Sequence, residues 1–169
     1  MGARSEFLVD VTPLRKLPGS VLRVQRHGRL EGLRLSAAAV AEGDEVAVDA
    51  ELAWASDDVV VTATIRAPWS GSCRRCLGEA AGEVTARVRE VYEERSDGEE
   101  TYALEGARVD LVPLVRDAVL LGLPPAPLCE EGCRGLCQVC GANRNEVRCS
   151  CDVSPPDPRW AALDALRDN

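Results

Sequence analysis

Alternation of apolar and polar residues marks the middle of the chain as strand-forming. Every second residue is apolar over residues 46–54, and the same period of two returns over residues 59–65 and 84–88. A period of two sends alternate side chains to opposite faces of a sheet. Residues 56–58 (SDD) supply a turn between the first two runs. These runs predict an antiparallel meander with one packed face.

A period of 3.6 residues predicts helices elsewhere. A helix is expected over residues 110–122, with Asp110 as its N-cap and an apolar surface that extends nearly all round, so that the helix is buried against the meander. Thr12 followed by Pro13 predicts a shorter helix that starts on a Thr cap and ends before Pro18. A short closing helix is predicted over residues 157–166. Residues 9–14 (VDVTPL) echo residues 109–114 (VDLVPL), which does not establish a repeat.

The composition is that of a globular protein and excludes several other classes. A chain of 169 residues with 46% hydrophobic and 28% charged residues is globular, neither collagenous nor disordered. It has no run of about 20 apolar residues, the length that a membrane-spanning helix needs. Residues 1–10 also lack the apolar core of a signal peptide, so we expect a cytoplasmic protein without a membrane partner. The net charge is −8, and only the first 30 residues, with six basic and two acidic groups, are electropositive.

Cysteines are the unusual feature of this composition. The chain has eight of them, in four close pairs: Cys73 and Cys76, Cys129 and Cys133, Cys137 and Cys140, and Cys149 and Cys151. Disulfides do not persist in a reducing compartment, which favours metal-bound thiolates. The first and third pairs have the two-residue spacing that lets both sulfurs face one ion. Four pairs in one chain of this size therefore indicate metal binding.

Eight cysteines suffice for two four-cysteine sites, and three combinations of the pairs are possible. We favour joining the last two pairs, because the eight residues between them are enough to turn the chain back. The first two pairs would then close a 52-residue loop. The prediction is two Zn²⁺ ions. Four thiolates fill the zinc shell and leave no position for water or substrate, so these sites would be structural.

Three other interpretations of the cysteines remain open. Thiolate ligation alone does not exclude an iron–sulfur cluster. A redox dithiol at Cys73 and Cys76 is less favoured, because the pair lacks the strand-to-helix setting of thioredoxin-like motifs. The third interpretation is a set of unligated buried cysteines. His27 is the only imidazole in the chain, and no Cys-His or Ser-His-Asp set is available, so we expect no enzymatic activity.

These patterns together predict an α+β fold. It would be mainly an antiparallel β meander with a buried helix, a cysteine-rich zinc-binding C-terminal region and a short closing helix. We divide the chain into a β-rich domain over residues 1–128, which contains the helix, and a zinc-binding tail over residues 129–169 packed on it. One single domain is the alternative.

Four segments resemble the YceD family, described as large ribosomal RNA subunit accumulation proteins. They are CRRC at residues 73–76, VDLVPLVRDAVLLGLPPAPLC at 109–129, CRGLCQVCGANRNEVRCSC at 133–151 and DPRWAAL at 157–163. The resemblance implies a noncatalytic cytoplasmic factor that supports large-subunit rRNA accumulation or assembly, with that rRNA or ribosomal proteins as partners and no small-molecule substrate. By similarity, Cys73, Cys76, Cys129 and Cys133 match a metal-site pattern found broadly in the family. The other quartet resembles an elaboration found in some members.

Arginines near the cysteines are candidate binding residues. Arg74 and Arg75 lie inside the first cysteine pair, and three more flank the third: Arg134, Arg144 and Arg148. A folded zinc module would present these guanidinium groups to phosphates or to an acidic protein. Trp69 would stack on an unpaired base. Alternatively, the arginines only solvate loop tips and Trp69 caps the sheet core.

Three functions are therefore compared. The first is a noncatalytic ribosome-biogenesis factor with structural zinc. The second is a thiol redox protein, and the third is a zinc-binding adaptor without a ribosomal role. The cysteine pattern favours the first over the second, because paired cysteines without a catalytic partner suit metal ligation.

Overall fold

The computed structural model describes residues 6–17, 19–96, 100–151 and 159, and the elements below belong to these residues. The closing helix predicted over residues 157–166 lies outside the described residues, apart from Arg159. The described helices are α1 (Thr12–Lys16) and α2 (Val112–Gly122). The strands are β1 (Leu8–Asp10), β2 (Val21–Gly28), β3 (Ala38–Ala39), β4 (Val46–Ala55), β5 (Asp58–Ser72), β6 (Glu79–Glu93), β7 (Tyr102–Glu105) and β8 (Arg108–Asp110).

The strands form one curled sheet in the order β1-β8-β7-β6-β5-β4-β2, and β3 pairs with β5. The predicted meander is confirmed as β4, β5 and β6, which pair antiparallel in chain order. Ala63 on β5 lies between Ala50 and Val88, so the apolar positions of the three strands share the inner face. Both β5 and β6 are 15 residues long. The loop between the end of β5 and the start of β6 holds the first cysteine pair.

The outer strands of the sheet were not predicted from the sequence. β2 forms one edge, and its residues alternate between exposed and half-buried until Gly28, which is buried. A Cβ at Gly28 would lie 2.6 Å from Cε2 of Phe7, so only glycine fits against this ring. Phe7 directly precedes β1, the opposite edge of the sheet. The curl therefore brings the two edges together at this end, with Phe7 fully buried between them.

α2 packs on the inner face of the sheet against β6 and β5. Its buried side chains are Leu114, Val115, Ala118 and Val119. The predicted packing of this helix against the meander is confirmed, and its wide apolar surface leaves Leu121 88% exposed on the far side. Asp110 precedes the helix instead of capping it: the N-cap is Leu111, and the carboxylate of Asp110 accepts a hydrogen bond from the Val112 N–H at 3.0 Å. Neither helix of the described residues combines the length and the hydropathy that a membrane-spanning helix requires.

The two echoing segments lie side by side. β1 and β8 pair antiparallel with Val9 opposite Val109, so equivalent residues are related by a local twofold axis. The Asp10 carboxylate accepts a hydrogen bond from the Thr12 N–H at 2.9 Å, which is the same turn that Asp110 makes before α2. The sequence similarity therefore reflects two copies of one strand-to-helix connection within a single sheet.

Candidate metal centres

Four cysteines converge at the end of β5 and β6, and we call this group centre A: Cys73, Cys76, Cys129 and Cys133. All four sulfurs lie within 4.8 Å of one another. Two of the Sγ–Sγ distances are 3.7 Å, between Cys73 and Cys133, and 3.6 Å, between Cys76 and Cys129. These separations are too long for disulfides, which are about 2.05 Å. A tetrahedral ion with metal–sulfur bonds of about 2.3 Å requires edges of about 3.8 Å, so the group fits a four-thiolate ion.

A tight turn after β5 positions the first two sulfurs of centre A. The Leu77 N–H donates to the Cys73 carbonyl at 2.9 Å, and the Cys73 N–H donates to the Gly78 carbonyl at 2.8 Å. Leu77 adopts the left-handed conformation with φ of 61°, which is unusual for a residue with a side chain. The Arg74 N–H donates to the Pro127 carbonyl at 2.9 Å, which fastens the segment after α2 to this turn.

Centre A continues the apolar interior of the protein. Cys73, Cys76 and Cys133 are buried together with Ala80, and partly buried side chains pack around them: Trp69, Leu128 and Leu136. Trp69 also packs against the main core, and its indole lies over Gly82 on the neighbouring strand. The structure thus places Trp69 at the junction of the two apolar clusters, half-buried.

The other four cysteines form a second group, centre B: Cys137, Cys140, Cys149 and Cys151. Its turn repeats the hydrogen bonds of centre A, since the Gly141 N–H donates to the Cys137 carbonyl at 2.9 Å and the Cys137 N–H to the Ala142 carbonyl at 2.8 Å. Gly141, with φ of 72°, occupies the position that Leu77 has in centre A. Only Cys137 is buried, so centre B lies at the periphery. The two quartets are those that the loop lengths favoured.

The arginines that flank the cysteines separate into two sets. Three of them line one cleft beside centre B: Arg75, Arg134 and Arg144. The described lining of this cleft does not include Arg74 or Arg148. His27, on the edge strand β2, is exposed and belongs to neither centre. The structure therefore places three of the five candidate arginines in one group, and their role in binding stays a prediction.

Asn145 is a site residue that sequence reasoning missed. Its side-chain amide donates to the Cys133 sulfur at 3.2 Å, and its amide oxygen accepts from the Arg134 N–H at 2.7 Å. A carboxamide that orients a metal-ligand sulfur acts outside the ligand set. Cysteine spacing carries no signal for such a residue, because it lies 12 positions from the sulfur that it contacts.

Hydrogen bonds divide the thiols of each centre into two kinds. The backbone N–H of Cys76 lowers the pKa of Cys73 to about 6, and the N–H of Cys140 does the same for Cys137. Side-chain hydrogen bonding with Cys133 raises the pKa of Cys129 to about 12, and that with Cys140 raises the pKa of Cys151 to about 12. Each centre therefore combines a thiolate that the backbone stabilises with a thiol that holds its proton at neutral pH.

Comparison with known protein families gave one matching model, over residues 61–167, described as large ribosomal RNA subunit accumulation protein YceD. An uncharacterized protein of Mycobacterium tuberculosis (strain H37Rv) is 30% identical over 176 residues, covering 94% of this chain and 80% of that protein. One from Mycobacterium leprae is 30% identical over 177 residues, covering 94% and 76%. The chloroplastic large ribosomal RNA subunit accumulation protein YCED homolog 1 of Arabidopsis thaliana is 33% identical over 64 residues, 38% of this chain and 20% of that protein. No solved structure matches.

Proposed function

Because this chain belongs to the YceD family, we propose that it is a noncatalytic ribosome-biogenesis factor that supports accumulation of large-subunit rRNA or assembly of its particle. Membership of the family is the observation that carries the proposal. The matched region, residues 61–167, contains both centres. Its partners would be large-subunit rRNA or ribosomal proteins of a precursor particle, without a small-molecule substrate. Eight free thiols in one chain suit a reducing cytoplasm, which we propose as its location.

Each centre is proposed to hold one Zn²⁺ ion. A four-thiolate set suits zinc, and the sulfur separations of centre A agree with a tetrahedral shell. When bound, the ion supplies a fixed crosslink and no reactive position. The protein residues do the rest: Cys129 and Cys133 bring the segment after α2 onto the turn of Cys73 and Cys76. Centre A thus joins the tail to the sheet, and centre B shapes the tail.

The affinity of both centres for Zn²⁺ is expected to rise with pH. The pKa is raised in two thiols of each centre: Cys76 and Cys129 in centre A, and Cys149 and Cys151 in centre B. Metal binding must displace at least those protons, so the association constant should increase at least about 100-fold per pH unit near neutrality. Below about pH 6, Cys73 and Cys137 protonate as well, and the loss becomes steeper. Chelator competition at several pH values measures this, and a pH-independent affinity would contradict it.

A thiol redox function is the second candidate, because a pKa of about 6 would make Cys73 a thiolate at neutral pH. Complete burial of Cys73 weighs against it, since a reactive thiolate must be accessible. Native mass spectrometry of the reduced protein separates the two. Two bound zinc ions support the structural function, whereas a metal-free protein with a reversible Cys73–Cys76 disulfide supports the redox one.

Depletion of the protein in cells that express it tests the proposed function. We expect large-subunit rRNA to fall relative to small-subunit rRNA, with precursors of the large subunit accumulating in sedimentation profiles. Re-expression of the intact chain should restore the profile and is the control for indirect effects. An unchanged ratio of the two rRNAs would count against the ribosomal assignment.

A further inference from the structure

A cleft of about 440 Å³ lies beside centre B, with one wall formed by the centre A turn. Arginines line it from three separate places in the sequence, namely Arg75, Arg134 and Arg144. We call it the arginine cleft. We propose that the arginine cleft binds the phosphate backbone of a single-stranded segment of RNA. The choice of RNA as the polymer rests on the proposed function.

Backbone hydrogen bonds hold the three arginines in one arrangement. The Leu136 N–H donates to the Arg75 carbonyl at 3.0 Å, and the Arg144 N–H donates to the Gly135 carbonyl at 2.9 Å. Gly135 has a φ of 70°, and a Cβ there would lie 2.9 Å from the Arg75 carbonyl oxygen. Only glycine therefore permits this approach. The cleft is organised before a ligand arrives, which reduces the entropy cost of binding.

The charge of the cleft differs from that of the whole protein. The net charge of the chain is −8, yet no carboxylate belongs to the described residues that line the cleft, and its three arginines exceed the net charge of about −2 that centre B would carry with one Zn²⁺ on four thiolates. The Arg75 guanidinium donates to the Cys133 carbonyl at 2.9 Å, so this arginine also fastens the centre A loop. Arg144 has no such bond to a described residue, and its guanidinium group is available to an anion. Cations gathered in a concave site raise the local concentration of a polyanion.

The remaining wall of the cleft is apolar and suits a ribose or a base as well as the arginines suit phosphates. Leu136 and Val139 supply apolar surface next to the arginines, and Val139 is 64% exposed. A ribose or an unstacked base can contact this surface while successive phosphates engage the guanidinium groups. The planar fork of each guanidinium matches two phosphate oxygens.

The experiment compares two arginines of the same loop, both between Cys140 and Cys149. Arg144→Gln removes a cleft arginine, and Arg148→Gln removes the same charge outside the described lining. The probe is a fluorescently labelled single-stranded RNA of about ten nucleotides, bound to the full metal-loaded chain and followed by anisotropy. Arg144→Gln should weaken binding about tenfold, the effect of one lost charged hydrogen bond. The slope of log Kd against log salt should fall by about 0.7. Arg148→Gln should change Kd less than about twofold.

Arg134→Gln is the second variant, and we expect it to behave as Arg144→Gln does. Metal content and melting temperature should stay unchanged in Arg144→Gln, and both are measured for Arg134→Gln as well, because the Arg134 guanidinium donates to the carbonyl of Asn145, which contacts the Cys133 sulfur. Three results would overturn the inference: equal weakening by Arg144→Gln and Arg148→Gln, metal loss in both cleft variants with unchanged RNA affinity, or tighter binding of a glutamate-rich peptide than of the RNA.

The failure of this inference differs from the failure of the proposed function. If Arg144→Gln binds RNA normally while depletion still lowers large-subunit rRNA, the cleft assignment falls and the proposed function stands. If depletion leaves that rRNA unchanged while Arg144→Gln loses RNA binding, the cleft assignment stands and the ribosomal function falls. Re-expression of Arg144→Gln in depleted cells joins the two tests, and we expect incomplete restoration.

Discussion

Replacing Cys76 with serine is expected to remove one metal ion and to lower the free energy of unfolding by about 4 kcal/mol or more. The substitution hardly changes side-chain volume, so it reports loss of a ligand instead of loss of packing. Without Cys76, the remaining sulfurs of centre A stay crowded, and Cys73 and Cys133 stay buried, with no ion to compensate their charge. The crosslink between the β5–β6 turn and the segment after α2 is also lost.

Cys140→Ser is the matched control for this effect. It removes one sulfur from centre B, but Cys140 is exposed and centre B lies outside both apolar clusters. We expect loss of the second metal ion with a much smaller change in melting temperature. Thermal melting and the metal content of both variants measure the contrast. If the melting temperature of Cys76→Ser equals that of the unmodified protein, centre A is not a structural site.

Gly71→Ala is the second substitution with a large expected effect. A Cβ at Gly71 would overlap the Ala37 carbonyl oxygen and lie 3.0 Å from the Ala38 Cα, and backbone atoms cannot rotate away as a side chain can. The same carbonyl accepts a hydrogen bond from the Ser72 N–H at 3.2 Å. The pairing of β3 with β5 would therefore break, and the free energy of unfolding should fall by about 3 kcal/mol.

Because Gly71 lies two residues before Cys73, the same displacement should weaken metal binding at centre A. Gly43→Ala is the control, since no atom lies within 4 Å of a Cβ there. The free energy of unfolding of that variant should lie within about 0.5 kcal/mol of the value for the unmodified protein. Denaturant unfolding together with zinc affinity measures both effects. A Gly71→Ala protein as stable as Gly43→Ala would show that β3 is not held against β5 in solution.

Local patterns predicted the centre of the sheet and the identity of the candidate ligands. The meander of β4, β5 and β6 follows from the alternation of apolar and polar residues, which is visible within each of the three strands separately. β2 escaped the same reasoning because its alternation is short: Leu22 and Val24 occupy half-buried positions, but Arg26 takes the next one, as an edge strand permits. β7 and β8 have four and three residues, too few for a period to be recognised.

Helix patterning shows where local reasoning is incomplete. Leu120 and Leu121 make the sequence of α2 apolar on nearly every side, so the pattern predicts burial against the meander without showing which face is covered. The sheet covers only the face of Leu114, Val115 and Ala118, and Leu121 faces outward. Which face of an apolar helix is covered depends on the strands beside it, and that information is not in the helix sequence.

The sequence by itself determined the meander, the helix and the four pairs of cysteines, because each depends on residues that are near one another along the chain. Loop lengths also favoured the two quartets. Only the tertiary structure decided that Asn145 supports the Cys133 sulfur and that Arg75 meets Arg134 and Arg144. Asn145 lies 12 residues from Cys133, and Arg75 lies 58 residues before Cys133, so both contacts form only because the folded sheet and the two cysteine centres bring these segments together.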